Sequence, residues 1–178
     1  RAHPDWAVAV PGRKPGLSRN QLVLDFSRED VQDYMIRRLK EILHNAPIFY
    51  IKWDFNRSIC DKYSRALPQE RQGEMAHRFV LGLYRVLEEL TKTFPHILLE
   101  GCSGGGGRFD AGMLYYTPQI WCSDNTDAIE RLQIQYGTSF GYPVSAMGAH
   151  VSAVPNHQTG RVTPLSTRGC VAMAGTFG

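Results

Sequence analysis

Three short apolar runs in this sequence each lead straight into residues with chemistry in their side chains. That recurrence limits the fold more than any other feature. The first is Ile48-Phe49-Tyr50-Ile51-Lys52-Trp53-Asp54, β-branched and aromatic as a buried strand is. The second is His96-Ile97-Leu98-Leu99-Glu100, followed by Gly101, Cys102, Ser103 and the run Gly104 to Gly107. The third is Gln119-Ile120-Trp121-Cys122-Ser123-Asp124. Helical patterns separate them. Val31, Tyr34, Met35, Leu39, Ile42 and Leu43 form one stripe, after a start at Ser27-Arg28-Glu29-Asp30 with Ser27 as the expected N-cap. Met75, Phe79, Leu83, Val86, Leu87 and Leu90 form a second, on a helix expected from about Gln72 to Thr91. Asn125-Thr126-Asp127 opens a third, with Ile129, Leu132 and Tyr136 on one face.

Strand–helix–strand alternation means a parallel sheet with helical crossovers. An open doubly wound sheet and a (β/α) barrel both fit. Chemistry at the carboxyl end of strand after strand is the habit of the barrel. A full barrel needs about 250 residues, so 178 residues make a partial (β/α)8 TIM barrel of class α/β. The chain opens without Met and stops in the strand-like stretch Ala174 to Gly178. Both ends are expected to be cuts in a longer polypeptide. The remaining elements are weaker. Trp6 to Val10 and Gln21 to Asp25 are strand-like runs broken by Pro11-Gly12 and Pro15-Gly16. Val144 to Val154 suggests a strand and its loop, Pro155 to Thr163 a longer loop, and Val171-Ala172-Met173-Ala174 the start of a last strand.

Composition excludes several classes. The net charge of +3 is small and scattered, so neither nucleic acid nor a membrane surface is an expected partner. No run approaches the roughly 18 apolar residues of a membrane span. The four cysteines, Cys60, Cys102, Cys122 and Cys170, contain no CxxC pair, so no metal site is expected. Few cysteines without an export signal point to a reducing cytoplasm with free thiols.

Asp54 and Asp124 are the sharpest candidates, each following a buried strand at the same rim. Facing carboxylates suit glycoside hydrolysis, one as nucleophile and the other as acid and then base. For Asp124 the competing role is a helix cap before Asn125-Thr126. Lys52 should point to the same side as Asp54, two residues on, where its charge would keep Asp54 ionised. Arg19, Asn56 and Arg57 could bind hydroxyls or a carboxylate, or serve as ordinary surface residues. Trp53 and Trp121 fit either pocket walls or core. The four glycines lack the spacing of a phosphate loop. They fit a flexible turn, or better, a place where a bulky polar ligand lies against backbone. His150 and His157 have no metal-motif spacing.

Longer segments carry a resemblance. Tyr50 to Arg57 resembles the KWDxNR motif of glycoside hydrolase family 36 α-galactosidases. Leu99 to Asp110 is similar to that family's CSGGGGRFD segment, and Trp121 to Ala128 to its SDNTDA segment. Ser18-Arg19-Asn20-Gln21 and Pro155 to Arg161 also resemble family segments. The matches span residues 1–178 in the family's order.

The resemblance implies a retaining α-galactosidase with a central (β/α)8 barrel, here roughly strands three or four to eight. The first strands and the family's flanking β-domains are expected to lie outside these residues. It also implies a homotetrameric parent enzyme. Asp54 would be the nucleophile and Asp124 the acid/base. Arg19, Lys52, Trp53, Asn56, Cys102 and Gly105 would contact the galactosyl group of melibiose- or raffinose-class substrates. No cofactor is expected, because two carboxylates supply the nucleophile and the proton transfers. Two alternatives stay open: an α-galactosyltransferase of the raffinose or stachyose synthase type, and a non-catalytic fragment that only binds sugar.

Overall fold

The computed structural model describes residues 2–177. The chain forms two units, Arg1–Phe49 with Arg57–Ile97, and Tyr50–Asn56 with Leu98–Gly178.

The first unit is built on two helices, α1 (Glu29–His44) and α2 (Met75–Thr93), the latter led in by a 3-10 segment at Gln69–Glu74. The predicted apolar face of α2 is its buried face: Met75, Phe79, Leu83, Val86, Leu87 and Leu90 are all buried, with Gly82 among them. Each large side chain so buried contributes roughly 1.5–3 kcal/mol. Gly82 is required there, since a Cβ would lie 1.8 Å from the Phe26 carbonyl oxygen. Gln32 of α1 donates to that same oxygen at 2.8 Å and accepts from Arg85 of α2 at 2.9 Å.

Ser27 does not cap α1. Its hydroxyl donates to buried Asp25 and lies 3.1 Å from the Ser64 hydroxyl. Arg28 takes the N-cap position, and its side chain, bonded to Asp30, makes no capping bond. The N-terminal runs are likewise not regular strands. Pro4–Trp6 is a 3-10 turn, and the two runs meet at one bridge, Ala7 with Leu24. The turns at Pro11-Gly12 and Pro15-Gly16 leave too little uninterrupted chain for a ladder.

The second unit is a sheet of five parallel strands: β1 (Tyr50–Asp54), β2 (Leu98–Cys102), β3 (Gln119–Trp121), β4 (Met147–Ala149) and β5 (Thr176–Phe177). Their order in space is their order in sequence. A doubly wound sheet reverses strand order at a switch point. Sequential order without reversal is the winding of a barrel, and the sheet is an arc of one.

Three helices join the strands: α3 (Ala111–Tyr116), α4 (Ala128–Ser139) and α5 (Leu165–Met173). Leu99, Ile120, Met147, Ala149 and Val171 supply much of this unit's core. Helix α3 lies between β2 and β3, and Asp110 caps it by accepting from the Met113 amide at 2.9 Å. Val171 to Met173, expected to open the last strand, instead close α5. They are held there by packing, with Val171 and Ala172 buried and the Val171 carbonyl accepting from Gln135 of α4 at 3.0 Å.

Candidate active site

The register of β1 on β2 sets Lys52 beside Glu100 and Asp54 beside Cys102. Alternate residues of a strand share a face, so these four side chains share one. Lys52 Nζ lies 3.1 Å from Glu100 Oε1. On the other side, Gln119 of β3 donates to Glu100 Oε2 at 3.1 Å. Glu100 is 1% exposed. Burial pushes its carboxyl above the usual range. Burial also pushes the Cys102 thiol up to about 11, assisted by its hydrogen bond to Asp54 and by that carboxylate's charge. Cys102 is therefore a neutral thiol at physiological pH.

Asp54 is exposed on this face and accepts from Asn56 Nδ2 at 2.6 Å. Asn56 Oδ1 in turn accepts from the Gly104 amide at 2.7 Å. Asn56 thus ties the end of β1 to the glycine run. Gly104, Gly105 and Gly106 all have positive φ, of 59°, 76° and 95°, a region that favours glycine. On the Cβ side, two of them meet neighbouring backbone. A Cβ on Gly105 would lie 2.4 Å from the Asp124 amide nitrogen, and one on Gly106 2.7 Å from the Cys122 carbonyl. The glycines let the loop after β2 press against the end of β3. Arg108 closes the loop, donating to Ser103 Oγ at 2.8 Å and to the Phe55 carbonyl at 3.2 Å.

Asp124 is exposed and is not the cap of α4. That role belongs to Asp127, whose Oδ1 accepts from the amides of Ile129 and Glu130 at 2.8 and 3.2 Å. Thr159 and Arg161 hold Asp127 from the other side, and together these partners keep its carboxyl below the usual range. Asp124 is left for another purpose. It accepts from the Trp121 indole N–H at 2.9 Å. The Trp121 ring is crowded by cations, with Lys52 Nζ 4.7 Å and Arg131 Cζ 4.2 Å from it. His150 lies against the ring at 4.3 Å. Burial and then the charges of Lys52 and Arg131 hold the His150 imidazole below its usual range, so it is neutral at pH 7.

Of the residues singled out from sequence, Lys52, Asp54, Asn56, Cys102, Gly105 and Asp124 fall in this one cluster. Trp53 lies on the opposite face of β1 from Lys52 and Asp54. Arg19 belongs to the first unit, at the tip of a tight turn closed by a Gln21 amide to Ser18 carbonyl bond of 2.9 Å. Arg19 and Asn20 both have positive φ, 51° and 57°, as a type I′ turn demands. Arg57, in the same unit, donates to the carbonyls of Gln21 and Gly16. The sequence reading did not assign Glu100, Gln119 or His150 to the site. Glu100 stood at a strand end, but only the register shows that Lys52 is its neighbour. Among the described residues, no group of three or more His, Cys, Asp or Glu side chains is placed to hold a metal ion. No described helix is long and apolar enough to cross a membrane.

Comparison with known proteins gives consistent matches. The family model described as Melibiase matches residues 1–178. The α-galactosidase AgaA of Geobacillus stearothermophilus is 66% identical over 178 residues, covering 100% of this chain and 24% of the relative. Two crystal structures of doubly substituted AgaA variants superpose closely. One, with an aspartate replaced by alanine and stachyose bound, gives a TM-score of 0.96 at 66% identity over 99% of this chain and 25% of the other. The second, with an aspartate replaced by asparagine and raffinose bound, gives 0.97 at the same identity and coverage. The chain spans about a quarter of the length of these relatives.

Proposed function

This chain belongs to the Melibiase family, and from that membership we propose that the whole protein is a retaining α-galactosidase with Asp54 as nucleophile and Asp124 as acid/base. The observation that carries the reading is the placement of the two carboxylates. Asp54 ends β1 and Asp124 follows β3 at the same end of the sheet, each is exposed, and neither caps a helix. Side-chain donors orient both, Asn56 and Cys102 at Asp54 and Trp121 at Asp124. Strands β1 and β3 are separated by one strand, hence by roughly 9.5 Å. Side chains leaning across that gap are compatible with the ~5–5.5 Å carboxyl separation of retaining enzymes. The aspartates replaced in the stachyose and raffinose complexes of the relative also lie as far apart in sequence as Asp54 and Asp124 do here.

In the first step an Asp54 oxygen bonds to the anomeric carbon. The glycosidic C–O bond breaks as the Asp124 carboxylic acid gives its proton to the leaving oxygen. In the second step Asp124, now a carboxylate, takes a proton from water. That water oxygen attacks the anomeric carbon and the bond to Asp54 breaks. Lys52, Asn56, Cys102 and Gly105 contact the galactosyl group, with Cys102 acting as a neutral donor. Substrates of the raffinose class fit the ligands seen in the relative's structures. A homotetrameric enzyme and a cytoplasmic location complete the proposal, the latter supported by the free cysteines.

The test is the stereochemistry of hydrolysis by the whole protein, followed by proton NMR from the first turnover. α-Galactose as the first product is expected. β-Galactose as the first product would overturn the assignment of Asp54 as nucleophile.

A further inference from the structure

We propose that Glu100 is a positioning residue that fixes the Lys52 ammonium for the sugar, an inference that rests on the reading of Lys52 as a galactosyl contact. Glu100 stands inside a buried strand, where an apolar side chain would fit the pattern of its neighbours. Burying a carboxylate is costly unless it is paired and hydrogen-bonded. Its two oxygens are divided between the adjacent strands, Oε1 beside Lys52 of β1 and Oε2 accepting from Gln119 of β3. The carboxylate is thereby fixed in direction, and it fixes what it touches.

Lys52 has the opposite character. Its side chain is 36% exposed on the face that carries Asp54. A four-carbon stem there would sample many rotamers. An ammonium has three donor directions. The Glu100 carboxylate holds it from one side as an ion pair at 3.1 Å, with no hydrogen bond to that oxygen, and the ring of Trp121 lies alongside at 4.7 Å. The rest of the ammonium is open to solvent on the face that carries Asp54. Glu100 therefore converts a mobile cation into an oriented donor before sugar arrives. Ordering the stem on binding would otherwise weaken affinity by roughly tenfold.

The whole protein is prepared as wild type, Glu100→Gln, Lys52→Met and the double variant, with folding checked by circular dichroism. Inhibition by free galactose is measured in an aryl α-galactoside assay. Glu100→Gln keeps the shape and is expected to raise the galactose inhibition constant about tenfold. The same change made on top of Lys52→Met is expected to have no further effect, because its target is gone. A purely structural role would lower thermal stability and leave the inhibition constant alone. That result would overturn the proposal, as would an equal loss in both backgrounds. An unchanged constant in Lys52→Met alone would instead overturn the reading of Lys52 as a sugar contact. Should Glu100→Gln fail to fold, Glu100→Asp keeps the charge and draws it back by one methylene. A raised constant is expected there too, and a wild-type value would count against the proposal.

Discussion

Replacing Gly105 by alanine should disable the acid/base step while leaving the chain folded. The added Cβ would stand 2.4 Å from the Asp124 amide nitrogen and 3.1 Å from the Ser123 Cα and carbonyl carbon. Ordinary contact begins near 3.4 Å, so the end of β3 must move by about 1 Å. A displacement of that size at a catalytic group costs on the order of 10²-fold in rate. The positive φ adds roughly 1–2 kcal/mol of backbone strain. Gly160→Ala separates the two effects, since Gly160 has a φ of 70° and nothing within 4 Å of its Cβ position. It should lower the melting temperature and leave kcat/KM alone. Gly105→Ala should lower kcat/KM about 100-fold on melibiose, and less on an aryl galactoside whose leaving group needs no proton. A value within about twofold of Gly160→Ala on melibiose would refute the reasoning. An equal loss on both substrates would show that the substitution acts through the sugar contact of Gly105 and not through Asp124.

Trp121→Phe removes the donor to Asp124, and loss of a charge-assisted bond should reduce kcat/KM on melibiose by roughly 10- to 100-fold; a full rate would show that Asp124 needs no orientation. Cys102, held as a neutral thiol, should resist iodoacetamide in the native protein at pH 8 and react only on unfolding, as read by mass spectrometry of the peptides. In the first unit, the hydrogen bond from Arg28 lowers the Asp30 carboxyl to about 2. A depressed acid stabilises the fold above its unfolded value, near 4, and that contribution is lost as pH falls through 2. Urea midpoints of wild type and Arg28→Met should therefore differ above about pH 4 and converge toward pH 2.

Much of this arrangement was legible in the sequence, and the misses have physical reasons. Strand ends could be located because apolar runs stop abruptly at Asp54, Cys102 and Asp124, and a barrel concentrates polar side chains there. The face of α2 was legible because six large apolar residues recur at helical spacing. Helix α5 was not, because Ser166, Thr167 and Gly169 are weak helix formers and only two of its residues are buried. Ser27 looked like a cap, but its hydroxyl satisfies Asp25, a partner no local pattern reveals. The choice between Asp124 and Asp127 as cap turned on a three-residue shift, finer than element boundaries can be placed from pattern. Glu100 was the costliest omission. Its significance lies in the register of β1 on β2, which depends on packing across a helical crossover and leaves no mark in the local sequence.

The roles of the two carboxylates can be separated by the anomer of one product. In the whole protein, Asp124→Ala should still form the galactosyl intermediate from an aryl galactoside with a good leaving group. Azide needs no base, so it should release the intermediate as α-galactosyl azide. Asp54→Ala cannot form the intermediate, and azide in the vacated space should attack directly to give β-galactosyl azide. The account predicts those two anomers, read by NMR. The opposite pair would exchange the roles of Asp54 and Asp124, and wild-type hydrolysis of melibiose by either variant would remove that residue from the mechanism.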